Sequence, residues 1–130
     1  MKGKPTSDYQ WPGKKILIVE DDPASCHLFN ILLKSRGSEL VNTDNGLKAV
    51  QICQEDSDIS LVLMDIQLPI MDGYTATTKI KEMRAELPVI AQTAYAFQED
   101  EQKCLAAGCD GYLTKPVKSA ELFKMIDRLI

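Results

Sequence analysis

What most restricts the fold of this chain is one alternation that runs from Lys15 to the last residue. Short apolar stretches take turns with longer segments whose apolar residues recur every three or four positions. In order they read KILIVE, PASCHLFNILLKSRG, SELVNTD, NGLKAVQICQED, SLVLMD, DGYTATTKIKEMR, PVIAQTA, QEDEQKCLAAG, DGYLTK and KSAELFKMIDRLI. That succession predicts five strands and five helices, with no segment repeated. Helical spacing is plain in Leu122, Met125, Ile126 and Leu129. The first helix has both ends marked: Asp22 caps it ahead of Pro23, and Arg36 followed by Gly37 closes it. Strands joined through helices by right-handed crossovers lie parallel, and a parallel sheet is covered on both faces.

The order of the strands is partly readable as well. ILIV, LVLM and VIA are continuous apolar runs, as strands buried on both faces must be, whereas ELVNTD and GYLTK are mixed and suit edges. With the first strand central and the second at an edge, the economical order is 2-1-3-4-5. The fold class is therefore α/β, a flavodoxin-like doubly wound (βα)5 sandwich of three layers. Ligands of such sheets sit at the carboxyl ends of the strands, near the switch point between strands one and three. Residues 15–130 carry the pattern. Residues 1–14, MKGKPTSDYQWPGK, are mostly polar and punctuated by Pro5, Pro12 and Gly13, and read as a tail or linker in which Tyr9 and Trp11 can dock locally.

Composition removes several function classes. A chain of 130 residues fits one domain with a real core. Its 15 basic residues against 19 acidic ones offer no excess for a phosphate backbone, so no nucleic-acid partner is expected. No apolar run reaches the roughly 18 residues of a membrane span, and no signal-peptide core opens the sequence. A cytoplasmic location without membrane contact is the expectation. Cys26, Cys53, Cys104 and Cys109 form no CxxC pair and no Cys/His cluster, which suits reduced thiols used in packing better than a redox pair of Cys104 and Cys109.

Chemistry is to be sought at the strand ends. The first strand ends in Glu20, Asp21 and Asp22, the third in Asp65, the fourth in Thr93, and the fifth in Thr114 and Lys115, followed by Pro116. Carboxylates converging on one crevice repel one another unless a cation is present. All-oxygen ligands with room for water favour magnesium. A divalent ion and Lys115 would balance Glu20, Asp21 and Asp65. A carboxylate nucleophile beside a metal, a lysine and a hydroxyl is equipment for phosphoryl transfer, with an aspartyl phosphate as product. Taken singly, Asp22 is better explained as a helix cap, His27 as an exposed helix residue, and the acidic run QEDEQ as support for a helix start.

ILIVEDD, LVLMDIQLPIMDG, QTA and GYLTKP, in this order and spacing, make residues 15–130 resemble the receiver domain of two-component response regulators. The resemblance implies Asp65 as phosphoacceptor, Asp21 as a direct magnesium ligand, Glu20 as a ligand largely through water, and the Gln67 carbonyl as a further ligand. It implies that Lys115 pairs with the carboxylate and then with the phosphoryl oxygens, and that Thr93 donates its hydroxyl to the phosphoryl group. Tyr112 matches the switch aromatic, and the Lys115–Pro116 bond is expected to be cis. Gln67 and Tyr95 stand where the family varies and overhang the path of a hydrolytic water. The implied partners are a histidine kinase or a histidine phosphotransfer domain, with a possible dimer through the face of helix four, strand five and helix five. The phrasing DIQLPIMDGYTAT and AQTAYAFQEDEQKCLAAGCDGYLTKP is most similar to receivers of hybrid sensor histidine kinases. Such a domain is not an enzyme in isolation, although it promotes its own phosphorylation and dephosphorylation. The alternatives are a stand-alone single-domain regulator and a haloacid-dehalogenase-type phosphatase. The latter needs a second aspartate where this chain has Gln67.

Overall fold

The computed structural model describes residues 8–94 and 98–130. Its elements alternate without exception: β1 (Lys15–Val19), α1 (Pro23–Lys34), β2 (Glu39–Thr43), α2 (Gly46–Glu55), β3 (Ile59–Asp65), α3 (Gly73–Met83), β4 (Val89–Thr93), α4 (Gln98–Ala107), β5 (Gly111–Thr114) and α5 (Ser119–Leu129). All pairings are parallel and the sheet runs β2-β1-β3-β4-β5, as the apolar runs foretold. The mixed sequences lie at the edges, and the continuous apolar ones in the middle.

Because side chains alternate across a strand, each central strand feeds two cores. Ile16, Ile18, Leu61, Leu63 and Ile90 face α1 and α5, where they meet Phe29, Leu33, Leu122, Phe123 and Ile126. Their neighbours Leu17, Val19, Val62, Met64 and Val89 face α2 and α3, against Ala49, Cys53, Ala76 and Ile80. A smaller cluster of Ile66, Ala91, Cys104 and Cys109 lies under α4, with Tyr74 and Tyr112 packed on it. The starts of α1, α2 and α3 are held by side chains as expected of N-caps. Asp22 accepts from the Ser25 N–H, Asn45 from that of Lys48, and Asp72 from that of Thr75. Asp72, the acid of the loop after β3, is thereby explained as the cap of α3.

The local docking expected of Tyr9 and Trp11 is found in the structure. Tyr9 and Trp11 are buried members of the α1/α5 core, so the docking is deep. Their rings lie 6.1 Å apart, and Phe123 stands 6.0 Å from Tyr9 and 5.7 Å from Trp11. The Trp11 indole N–H donates to Asp127 Oδ1 at 3.1 Å, and its backbone N–H to the Arg36 carbonyl at 2.8 Å. Two large aromatics remove enough apolar surface from water to fix a segment whose other residues are polar.

Candidate functional site

The site forms where β1, β3 and β5 end on the same side of the sheet. Glu20 follows the last residue of β1 and is tied to β2 by its N–H, which donates to the Thr43 carbonyl at 3.1 Å. Its side chain is 3 % exposed, Asp21 beside it is exposed, and Asp22 turns away to cap α1. Asp65 is the last residue of β3 and is also 3 % exposed. Its Oδ1 accepts the N–H of Gln67 at 3.1 Å. The chain then folds back: the Gly73 N–H donates to the Ile66 carbonyl at 3.0 Å. A Cβ at Gly73 would lie 2.3 Å from the carbonyl oxygen of Asp65, so only glycine permits this close return.

Lys115 arrives from β5. Its N–H donates to the Thr93 carbonyl at 2.7 Å, and the Lys115–Pro116 bond is cis, as expected. The ammonium reaches Glu20 Oε1 at 3.0 Å and Asp65 Oδ2 at 3.3 Å. Glu20, Asp21 and Asp65 each offer a carboxylate oxygen, all within 4.8 Å of one another. Burial, and then the adjacent Asp65, push the Glu20 carboxyl up to about 8 against the pull of Lys115. Burial works against the charged form of Lys115, but Glu20 and Asp65 outweigh it and raise its pKa. A cluster of hard oxygen donors that must hold a proton to relieve its own charge is one that fits a divalent cation.

Thr93 closes β4 fully buried, one residue beyond Gln92, which is in register with Asp65. Tyr112 is half-buried in β5 and packs on the α4 cluster with Tyr74. Gln67 is exposed beside Asp65, and Tyr95 lies outside the described residues. His27 is exposed on α1, and all four cysteines are free thiols. Sequence reasoning missed Gln92. Its side chain is 1 % exposed and neither amide atom is hydrogen-bonded among the described residues, at the wall of a cavity of about 370 Å³ shared with Phe29, Lys115 and Val117. A polar residue inside an otherwise apolar strand was the available signal.

Known proteins fit this geometry. The sequence profile of the response regulator receiver domain matches residues 16–127. The sensor protein GacS of Pseudomonas syringae pv. syringae is 38 % identical over 117 residues, which cover 86 % of this chain and 13 % of that protein. Histidine kinase 3 of Arabidopsis thaliana is 32 % identical, again over 13 % of its length. The chain thus spans about an eighth of these relatives. The polar-differentiation response regulator DivK of Brucella anthropi is 38 % identical over 116 residues, covering 87 % of this chain and 93 % of that one. Among solved structures, the receiver domain of a Pseudomonas aeruginosa PAO1 sensor histidine kinase, with a magnesium ion coordinated in its active-site cleft, superposes with a TM-score of 0.83 at 39 % identity. It covers 90 % of this chain and 97 % of its own. A Saccharomyces cerevisiae receiver domain, co-crystallised with a histidine phosphotransfer signalling protein, gives a TM-score of 0.85 at 30 % identity, covering 92 % and 90 %.

Proposed function

This chain belongs to the response regulator receiver domain family, and from that premise we propose that it accepts a phosphoryl group on Asp65 from a phosphohistidine in a magnesium-dependent reaction. One observation carries the reading: the Lys115 ammonium sits between the buried carboxylates of Glu20 and Asp65, with Asp21 completing an oxygen cluster at the strand ends. Asp65 supplies the nucleophilic oxygen. As it attacks phosphorus, the new P–O bond forms while the P–N bond to the donor imidazole breaks, and the imidazole leaves with a proton. The Gln67 N–H on Oδ1 and Lys115 at Oδ2 fix the carboxylate in the crevice. Magnesium held by Glu20, Asp21, Asp65 and the Gln67 carbonyl supplies charge neutralisation for the transferring oxygens. Lys115 then pairs with the phosphoryl group, and the Thr93 hydroxyl donates to it.

The readout follows from the same residues. Movement of Thr93 toward the added oxygens changes the space behind it, and Tyr112 turns inward, reshaping the α4-β5-α5 face where a partner or second copy docks. The donor is a histidine kinase or a histidine phosphotransfer domain, which the yeast co-crystal supports. Similarity to hybrid kinases favours a receiver within such a protein. DivK, matched along 93 % of its length, supports the second reading, a stand-alone regulator. Catalysis beyond its own phosphorylation and dephosphorylation is not part of this proposal, and neither are nucleic acid or membrane as partners; the place of action is the cytoplasm. Acetyl phosphate with magnesium should add one phosphoryl group by intact mass, and Asp65→Asn or chelation should prevent it. Labelling that persists in Asp65→Asn would remove Asp65 from its role.

A further inference from the structure

The turn from α4 into β5 brings together two cysteines that the strand-end chemistry does not use. α4 stops at Ala107, and Gly108 takes a left-handed conformation at φ 101°. The Gly108 N–H donates to the Leu105 carbonyl at 3.1 Å, and the Cys109 N–H to the Cys104 carbonyl at 2.9 Å. This nested pair is the Schellman closure of a helix, which sets the side chain just after the glycine against the one four residues before it. Elsewhere that contact is simply apolar; here both residues are cysteine. Both side chains belong to the buried cluster of Ile66 and Ala91, and Tyr74 packs against it while its phenol donates to Asp100 Oδ1 at 3.2 Å. Both thiols are free. A cavity of about 220 Å³ leads to them from the surface between α4 and α5, walled by Leu105, Tyr112, Met125 and Arg128.

We propose that Cys104 and Cys109 form a reversible thiol–disulfide site, oxidised by small organic disulfides entering this cavity, and that the closed bond ties the last turn of α4 to the start of β5 beside Tyr112. Hydrogen bonding from Cys109, opposed by burial, lowers the pKa of Cys104, while the donating Cys109 is pushed up. Cys104 is therefore the attacking sulfur. Its thiolate displaces one thiolate from the small disulfide, which leaves as a thiol once protonated. Cys109, on losing its proton, attacks the Cys104 sulfur of the mixed disulfide and expels the second. The protein pair loses two electrons, and the small disulfide gains them as two thiols. Burial in the α2 core pushes the Cys53 thiol up to about 11, which makes it a poor competitor.

The experiment incubates the whole chain with bis(2-hydroxyethyl) disulfide and its thiol at set ratios. Remaining thiols are alkylated with iodoacetamide after unfolding, and the peptide holding both cysteines is weighed. The expected product is that peptide lighter by two hydrogens, unalkylated, and restored by dithiothreitol. The native pair should oxidise with an equilibrium constant at least about tenfold above that of the same chain in denaturing urea, since the fold holds the sulfurs together. Cys104→Ser and Cys109→Ser should each leave only a mixed disulfide on the remaining sulfur, and Cys26→Ser should change nothing. Two alkylated cysteines after oxidation, or equal constants in native and unfolded chains, would overturn the proposal. No phosphoryl donor enters the test, so its result is independent of the role of Asp65.

Discussion

Replacing Trp11 with alanine tests whether the segment before β1 is part of the fold. The indole is 5 % exposed, and its ring meets Phe123 edge-on at 5.7 Å and 64°. Its N–H is satisfied by Asp127. Truncating a buried tryptophan costs about 3 to 5 kcal/mol, and of this the hydrogen bond accounts for about 1. Asp127 is only half-buried and regains water when the indole is gone, so no stranded charge adds to the cost. The expected loss is about 3 to 4 kcal/mol, a large share of the roughly 5 to 15 that holds a domain together. Trp11→Phe keeps a ring against Phe123 and Tyr9 but loses the donor and part of the area, and should cost about 1 to 2 kcal/mol. Urea unfolding followed by far-UV ellipticity measures all three proteins. In the parent chain the fluorescence of Trp11, the only tryptophan, reports on the segment itself. Coincident fluorescence and ellipticity transitions are expected, because the segment and the core unfold together. A fluorescence change well before the loss of helix, or a Trp11→Ala cost below about 1 kcal/mol, would mean that the aromatic contacts do not hold the segment and that residues 1–14 behave as a tail.

Three further outcomes follow from the site. Ile70 is 79 % exposed and sits at φ 70°, a conformation that costs a β-branched residue about 1 to 2 kcal/mol. Ile70→Asn should therefore raise stability in urea by about 1 kcal/mol, and a destabilised variant would mean that the loop is not strained. Gly73→Ala should cost at least about 2 kcal/mol and impair phosphorylation, because the new methyl group collides with the Asp65 carbonyl; wild-type melting and labelling would refute that. The Glu20 carboxyl, raised from an ordinary 4.5 to about 8, holds a proton that the unfolded chain has lost between those values. The stability this gives is complete below the lower value and is lost as pH rises through the upper one. Thermal melts without metal should fall between about pH 4.5 and about pH 8 and level off above, while magnesium, which must displace the proton, should bind more tightly up to about pH 8. A magnesium-induced shift that ignores pH would contradict this.

The architecture was legible because two periodicities do not overlap: apolar residues at every third or fourth position cannot make a strand, and ILIV or LVLM flanked by turns is too short for a helix. Edge and centre were distinguishable because β1, β3 and β4 hold continuous apolar runs, whereas β2 and β5 are mixed. Asp22 was readable from its place before Pro23, and accepts from Ser25 as a cap should. The depth at which the N-terminal segment docks was not readable, for a physical reason. Pro5, Pro12 and Gly13 mark irregular backbone, and two aromatic rings dock on the core without any periodicity that would show how deeply. Packing outweighed a Cys104–Cys109 redox pair in the sequence because a five-residue spacing places two side chains on different faces of a continuing helix, and only the reversal at Gly108 brings them together.

The strand-end cluster could be read as a site for the opposite reason, namely that its cost has no structural return. Three carboxylates against the one ammonium of Lys115 leave two negative charges uncompensated in a crevice where Glu20 and Asp65 are almost without water. A core built only for stability would place apolar side chains at these strand ends, as it does one residue earlier with Val19 and Met64. Protonation of Glu20 relieves part of the deficit, at the expense of an oxygen donor. A phosphoryl group on Asp65 enlarges the deficit, since it brings about −1.5 to −2 charge where one carboxylate had stood. Lys115 cannot meet both demands, because its single ammonium already spans Glu20 and Asp65. A divalent cation and a phosphoryl group are therefore linked at this site through charge: the carboxylates that make the first favourable make the second untenable alone. That linkage predicts coupled binding, with magnesium affinity higher for the phosphorylated domain than for the free one.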